Sequence, residues 1–160
     1  MKTEIAESLL NKAFFYLGIR VRSEHEMRQY LEKKAALFGG MQEDIEHVIA
    51  RLIELDYVND AVFVESYVRS RNNSKQKGEY VLRKELAQKG VSEEIVNHFF
   101  QTHVQDPLQL AKKALRPRWA GYSSLDPMKR TKRAQDFLLR RGFDYDTIRE
   151  VLIWAQETLS

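Results

Sequence analysis

The chain has 160 residues, 43% of them apolar and 31% charged, with a net charge of +3 and no cysteine. The apolar share excludes a disordered chain, and the missing Cys excludes a disulfide framework, a thiolate metal site and a Cys nucleophile, as suits the reducing cytoplasm. Seven Gly and three Pro are too few for the many tight turns of an all-β chain, and no apolar run approaches the ~20 residues of a membrane span.

The start, Met1-Lys2-Thr3-Glu4, leads into mixed polar and apolar sequence, not the pattern of a signal peptide. Leu9, Leu10, Ala13, Phe14 and Leu17 then form one helical stripe that ends near Gly18. Ser23-Glu24-His25-Glu26 has the form of a capping box and opens a second helix carrying Met27, Tyr30 and Leu31. Gly39-Gly40 breaks the chain, and Ile45, Val48, Ile49, Leu52 and Ile53 mark a third helix. Asn59-Asp60 caps a fourth, with Val62, Phe63, Tyr67 and Val68. The polar run from Asn72 to Gly78 reads as a loop. Tyr80, Val81, Leu82 and Leu86 form the next helix, which Gly90 ends, and Ser92 caps another with Ile95, Val96, Phe99 and Phe100. Asp106-Pro107 and Asp126-Pro127 each start a helix with Pro at its first position. Gly142 ends the second of these, and Asp144 caps a last helix through Ile148, Val151, Leu152 and Ala155.

These nine helices repeat. Gly40-Met41-Gln42-Glu43-Asp44-Ile45 aligns without a gap on Gly90-Val91-Ser92-Glu93-Glu94-Ile95, and Gly142-Phe143-Asp144-Tyr145-Asp146-Thr147-Ile148 follows with one residue of slippage. The helix before each Gly repeats too, placing Leu31, Leu86 and Leu138 at equivalent apolar positions. The first unit then needs five extra residues, Ala35 to Gly39. A helical period near fifty residues predicts an all-α fold of three tandem three-helix repeats, over residues 1–58, 59–105 and 106–160. Stacked, they would form one elongated, curved, solenoid-like body. The competing reading is a single nine-helix bundle whose turns share only capping grammar.

No constellation of catalytic residues stands out. His25, His47, His98 and His103 lack the spacing of a zinc site, and no phosphate loop or nucleophile elbow is present. The paired carboxylates Asp44/Glu46 and Glu93/Glu94 fall in first helical turns, where the helix dipole accounts for them. The expectation is a chain that is not an enzyme and takes no metal or cofactor.

Charge carries more information. Net charge runs +2 over residues 1–42, −6 over 43–66, +5 over 67–91, −3 over 92–106, +8 over 107–141 and −3 over 142–160. The basic segments hold Arg69, Arg71, Lys75, Lys77, Arg83, Lys84 and Lys89, then Lys112, Lys113, Arg116 and Arg118 beside Trp119, then Lys129, Arg130, Lys132, Arg133, Arg140 and Arg141. Cations interleaved with Tyr80, Trp119 and Tyr122 suit phosphate contact and base stacking. Trp119 is the leading stacking candidate, because Pro117 and Gly121 place it at a helix end. Lys34, Lys89 and Arg141 would repeat once per unit as a basic line. The plainer reading is solvated helix faces, with cations offsetting helix C-termini.

Taken together, Asp60-x-x-Phe63-x-x-x-Tyr67-Val68-x-x-Arg71, Lys77-Gly78 followed by Leu82-Arg83-Lys84-Glu85-Leu86-x-x-Lys89-Gly90-Val91, Lys112-Lys113, Phe137-Leu138-x-Arg140-Arg141-Gly142-Phe143 and Ile148 resemble the RecX family, regulators of the bacterial RecA recombinase. The sequence departs at Asn59, where the family usually carries a second Asp, and in the stretched first unit. The resemblance implies three three-helix repeats without enzymatic activity. It also implies binding in the groove of the RecA–single-stranded-DNA filament, limiting strand exchange, ATP turnover and co-protease action in DNA repair and the SOS response. The expected protein is a cytoplasmic monomer whose partners are the RecA filament, single-stranded DNA and, weakly, double-stranded DNA. The alternative is a sequence-indifferent DNA-binding protein or a helix-turn-helix transcriptional regulator, whose recognition helix would reach base edges.

Overall fold

The computed structural model describes residues 2–160, with side chains from residue 4 onward. The leader reading of Met1-Lys2-Thr3, and the side chain of Lys2, lie outside the described residues. Among them there are nine α-helices and no strand: α1 (Lys2–Ile19), α2 (Glu24–Phe38), α3 (Gln42–Glu54), α4 (Asp60–Ser74), α5 (Glu79–Gln88), α6 (Glu93–Thr102), α7 (Pro107–Trp119), α8 (Pro127–Arg140) and α9 (Tyr145–Thr158). A single 3-10 turn, Ala120–Tyr122, follows α7. The capping grammar explains the starts. Ser23 and Glu26 form the reciprocal capping box of α2, and Asp106, Asp126 and Asp144 each accept a backbone N–H in the first turn of α7, α8 and α9.

The chain divides into two compact units. Unit 1 comprises residues 1–66 and 86–99, and unit 2 comprises residues 67–85 and 100–160, so α4, α5 and α6 each contribute to both. In unit 1, α1, α2 and α3 pack on one another around Leu9, Met27, Leu31, Val48 and Leu52. In unit 2, α7, α8 and α9 pack around Leu115, Trp119, Leu138, Ile148 and Val151. Leu31, Leu86 and Leu138, expected in the core, are all fully buried.

The structure corrects the register of the repeat. Gly39, not Gly40, takes the left-handed conformation shared with Gly90 and Gly142, with φ of 69°, 74° and 88°. The six-to-one hydrogen bonds that close each helix agree: Gly40 N to Ala35 O, Val91 N to Leu86 O and Phe143 N to Leu138 O. The separations become 51 and 52, and the apparent slippage vanishes. Ala35, Leu86 and Leu138 are then counterparts, as are Leu31, Leu82 and Ala134. The five extra residues of the first repeat disappear. The N-caps Ser23 and Asp126 occupy matching positions, so the departing helix is α5, which begins about one turn late. The expected loop over 72–78 is correspondingly shorter, because α4 continues to Ser74, whose hydroxyl donates to the Ser70 carbonyl.

One joint recurs inside each unit. In unit 1, Ser23 Oγ, at the N-terminus of α2, donates to the Lys89 carbonyl at 2.7 Å, in the turn that closes α5. Any Cβ on Gly90 would overlap the side chain of His25. In unit 2, Gly78 N, just ahead of α5, donates to the Arg141 carbonyl at 2.6 Å. A Cβ on Gly78 would overlap the Gly142 carbonyl, and one on Gly142 would overlap Val81. In both places the N-terminus of a second helix seats on the glycine turn of the following repeat. Gly90 and Gly142 are required by close approach as well as by positive φ, and Gly78 by close approach alone.

Candidate nucleic-acid interface

Folding sorts the charge. Unit 2 holds 17 Lys/Arg against 9 Asp/Glu, a net of +8, whereas unit 1 holds 9 against 14, a net of −5. The acidic segment 43–66 and most of 92–106 fall in unit 1, while the basic segment 107–141 falls wholly in unit 2. Every cation of the basic segments 67–91 and 107–141 except Lys89 belongs to unit 2.

These cations divide into those held by the fold and those that are not. Tyr67 Oη donates to Glu85 Oε2 at 2.8 Å, Lys77 pairs with the other oxygen, and Arg71 Nε lies 3.5 Å away. Burial opposes ionisation of Glu85, but hydrogen bonds from Lys77 and Tyr67 outweigh it and hold its carboxyl below the usual range. Arg83 pairs with Glu79 at 2.8 Å and covers the Phe100 ring. Lys112 and Arg116 both lie over Trp154, and Arg118 lies over Phe137. Lys129 and Lys132 make long, exposed pairs with Asp126 and Asp136, and Arg69 is exposed on α4.

By contrast, the side chains of Lys75, Lys84, Lys113, Arg133 and Arg140 are exposed and make no ion pair or hydrogen bond among the described residues. Arg133 and Arg140 lie seven residues apart, two turns along one side of α8. Such cations hold water and small counterions that a phosphate backbone can displace.

Three expectations need correction. Trp119 is 2% exposed. The helix continues through Pro117, so Trp119 turns into the unit 2 core, and Arg130 packs over its ring at 4.0 Å. It has no face to offer a base. Second, Lys34, Lys89 and Arg141 do not form a repeating line. Phe38 is the counterpart of Lys89 and Arg141 in the observed register, and Lys34 covers the Tyr30 ring instead. Third, Arg141 is not a free surface cation like Arg140. Its guanidinium donates to the Gln76 carbonyl at 3.1 Å and packs over Phe137. Burial, and then the nearby Arg118, lower its pKa from the ordinary guanidinium value.

The sequence reading missed the joints. In unit 1, Glu26 receives Lys89 Nζ at 3.0 Å and Arg20 at 2.6 Å. Burial favours its neutral form, yet the hydrogen bonds from Arg20, Lys89 and the Ser23 backbone bring its pKa down to about 2. The sequence signal was Ser23 with Glu26, which was read only as a local cap. Unit 2 also contains a groove of about 710 Å³ beside the first turns of α5, α7 and α9, with Tyr80 and Tyr145 on its wall. Both tyrosines are largely exposed, so they present the aromatic faces that Trp119 does not.

No group of His, Asp and Glu among the described residues is arranged to hold a metal ion. No helix there is long and apolar enough to cross a membrane.

Comparison with known proteins agrees with this architecture. A family model described as RecX, second three-helix domain, matches residues 59–98, and one described as RecX, third three-helix domain, matches residues 105–152. A regulatory protein RecX from Prosthecochloris aestuarii is 36% identical, over 89% of this chain and 90% of that protein. Another from Bacillus cytotoxicus is 33% identical over 92% of this chain, which spans only 56% of that relative's length. The crystal structure of RecX from Lactobacillus salivarius superposes with a TM-score of 0.80 at 23% identity, over 97% of this chain and 99% of that one. The shared fold, the two matched domains and the near full-length likeness to the Prosthecochloris protein place this chain in the RecX family of regulatory proteins.

Proposed function

We propose that the chain regulates, mainly by inhibition, the RecA recombinase. It would do so by binding the RecA–single-stranded-DNA filament and limiting its recombinase, ATPase and co-protease activities in the bacterial cytoplasm, with no catalysis of its own. The observation that supports this reading is the concentration of positive charge in unit 2, with Lys75, Lys84, Lys113, Arg133 and Arg140 exposed and unpaired among the described residues. A surface of that kind attracts a polyanion over roughly a Debye length, about 8–10 Å at physiological salt. The cations are spread over the ends and outer faces of several helices, not gathered on one recognition helix. That arrangement favours a phosphate backbone, free or within a filament, over the base edges of one duplex sequence.

The test is ATP turnover by RecA on single-stranded DNA with the protein added below stoichiometric ratio. Slower turnover, with inhibition that weakens as salt rises, supports the reading. Unchanged turnover, together with tight binding to one duplex sequence that survives high salt, would instead identify a transcriptional regulator.

A further inference from the structure

The joint described above is used twice within the chain, and half of it stands open at each end of the series. Its donor half is the N-terminus of a second helix: Ser23 ahead of α2 and Gly78 ahead of α5. The counterpart in the third repeat is Asp126-Pro127-Met128 at the start of α8, where Met128 is 83% exposed. Its acceptor half is the turn closing a second helix: Lys89-Gly90 and Arg141-Gly142. The counterpart in the first repeat is Phe38-Gly39, where a Cβ on Gly39 would meet nothing within 4 Å.

The open halves differ from the closed ones in a matched way. Where the closed turns carry Lys89 and Arg141, the open turn carries Phe38, flanked by Leu37 and Met41, all exposed. Where the closed helix N-terminus presents Glu24 and His25, the open one presents Pro127 and Met128, and Lys129 stands at the place of Glu26. An apolar side chain therefore stands on each half, Phe38 in the place of Lys89 and Arg141 and Met128 in the place of His25. Charge agrees as well. The first turns of α3, directly after Gly39, carry Glu43, Asp44 and Glu46, whereas the first two turns of α8 carry Lys129, Arg130, Lys132 and Arg133.

From this we infer that the occupant of each open half is a second copy of the chain, with Met128 of one copy seated on the Phe38-Gly39 turn of the next. The contact would reuse the internal joint: the backbone N–H of Asp126 facing the Phe38 carbonyl, as Gly78 faces Arg141. It joins two different surfaces, so it is a heterologous contact that adds copies head to tail. It departs from the single chain expected from sequence. The inference stands apart from the RecA reading, because its readout contains neither recombinase nor DNA.

Sedimentation equilibrium of the protein alone tests it, with Phe38→Glu and Met128→Glu as variants. Met128 is almost fully exposed. In the Phe38 variant, Lys12, which lies 4.8 Å from the ring centre, can pair with the new carboxylate. Both proteins should therefore keep the parent's circular dichroism and melting curve. The weight-average mass of the parent should climb past twice the 18.8 kDa of one chain as concentration rises from micromolar to millimolar. Added salt should oppose that rise. Each variant alone should hold at one chain. Mixed in equal amounts they should reach two chains and stop, because each supplies the half that the other lacks. A parent that stays at 18.8 kDa throughout, variants that associate as the parent does, or a mixture that stays at one chain would each overturn the inference.

Discussion

In unit 1 the N-terminus of α2 is latched to the Lys89-Gly90 turn by an ion pair, Glu26 with Lys89. In unit 2 the segment ahead of α5 is latched to the Arg141-Gly142 turn by a guanidinium on the Gln76 carbonyl and by direct backbone contact at Gly78. The backbone geometry is shared and the side-chain chemistry is not. Unit 1, with its net negative charge, commits a carboxylate to its joint. Unit 2 closes its own without one: Arg141 is held there by a neutral carbonyl, so no carboxylate offsets the unit's positive charge at the joint. Conserving the joint geometry thus leaves each repeat free to set its own charge.

The comparison can be broken most severely at the backbone contact. Gly78→Ala places a methyl against the Gly142 carbonyl, where the obstructing atoms are main chain and no side chain can yield. It should cost more than about 4 kcal/mol. Both tryptophans, Trp119 and Trp154, belong to unit 2, so the loss should appear directly in their fluorescence melt. Leu86→Ala truncates a fully buried core side chain and should cost about 2–5 kcal/mol, read by chemical denaturation.

Acid should separate the two joints. The pKa of Glu26 is lowered from 4.5 to about 2. The stability it contributes is therefore fully present above pH 4.5 and is lost as pH falls toward 2, amounting to at most about 3 kcal/mol. Glu26→Gln should flatten that part of the acid titration followed by far-UV circular dichroism, while leaving tryptophan fluorescence of unit 2 unmoved. If the two signals shift together, the joints do not act separately. The smallest effect belongs to Gly39→Ala. Its cost is limited to the positive φ, about 1–2 kcal/mol, because the site is open. Gly90→Ala should cost clearly more, since His25 fills the space there, and paired melting curves give the difference.

Much of the fold was legible in the sequence because its signals are local. Ser23, Asp106, Asp126 and Asp144 cap helices through side chains acting on their own first turns, and Gly90 and Gly142 end helices through their own φ. The register of the first repeat was misread for a physical reason. In Gly39-Gly40 either glycine satisfies the pattern, and only the hydrogen bond from Gly40 N to Ala35 O shows which one turns the chain. The candidate site was legible as composition and not as roles. Seventeen of the eighteen residues singled out for it fall in one unit, yet charge alone does not reveal that Arg141 reaches a carbonyl 65 positions away or that Trp119 turns inward. Those are long-range contacts, and no spacing along the chain encodes them.

The central claim is that the free cations of unit 2 carry the contact with the filament. Reversing Arg140 and Arg141 together would confound that contact with the joint, so the informative pair is Arg133→Glu with Arg140→Glu, both exposed on α8. The control in unit 1 is Lys12→Glu with Lys33→Glu, which makes the same change in net charge. The measurement is inhibition of single-stranded-DNA-dependent ATP turnover by RecA at fixed salt, after both proteins are shown to melt as the parent does. The account predicts that the unit 2 reversal raises the concentration needed for half inhibition by roughly tenfold or more, about 1.4 kcal/mol, while the unit 1 control stays near the parent. Equal inhibition by parent, control and unit 2 variant would contradict it.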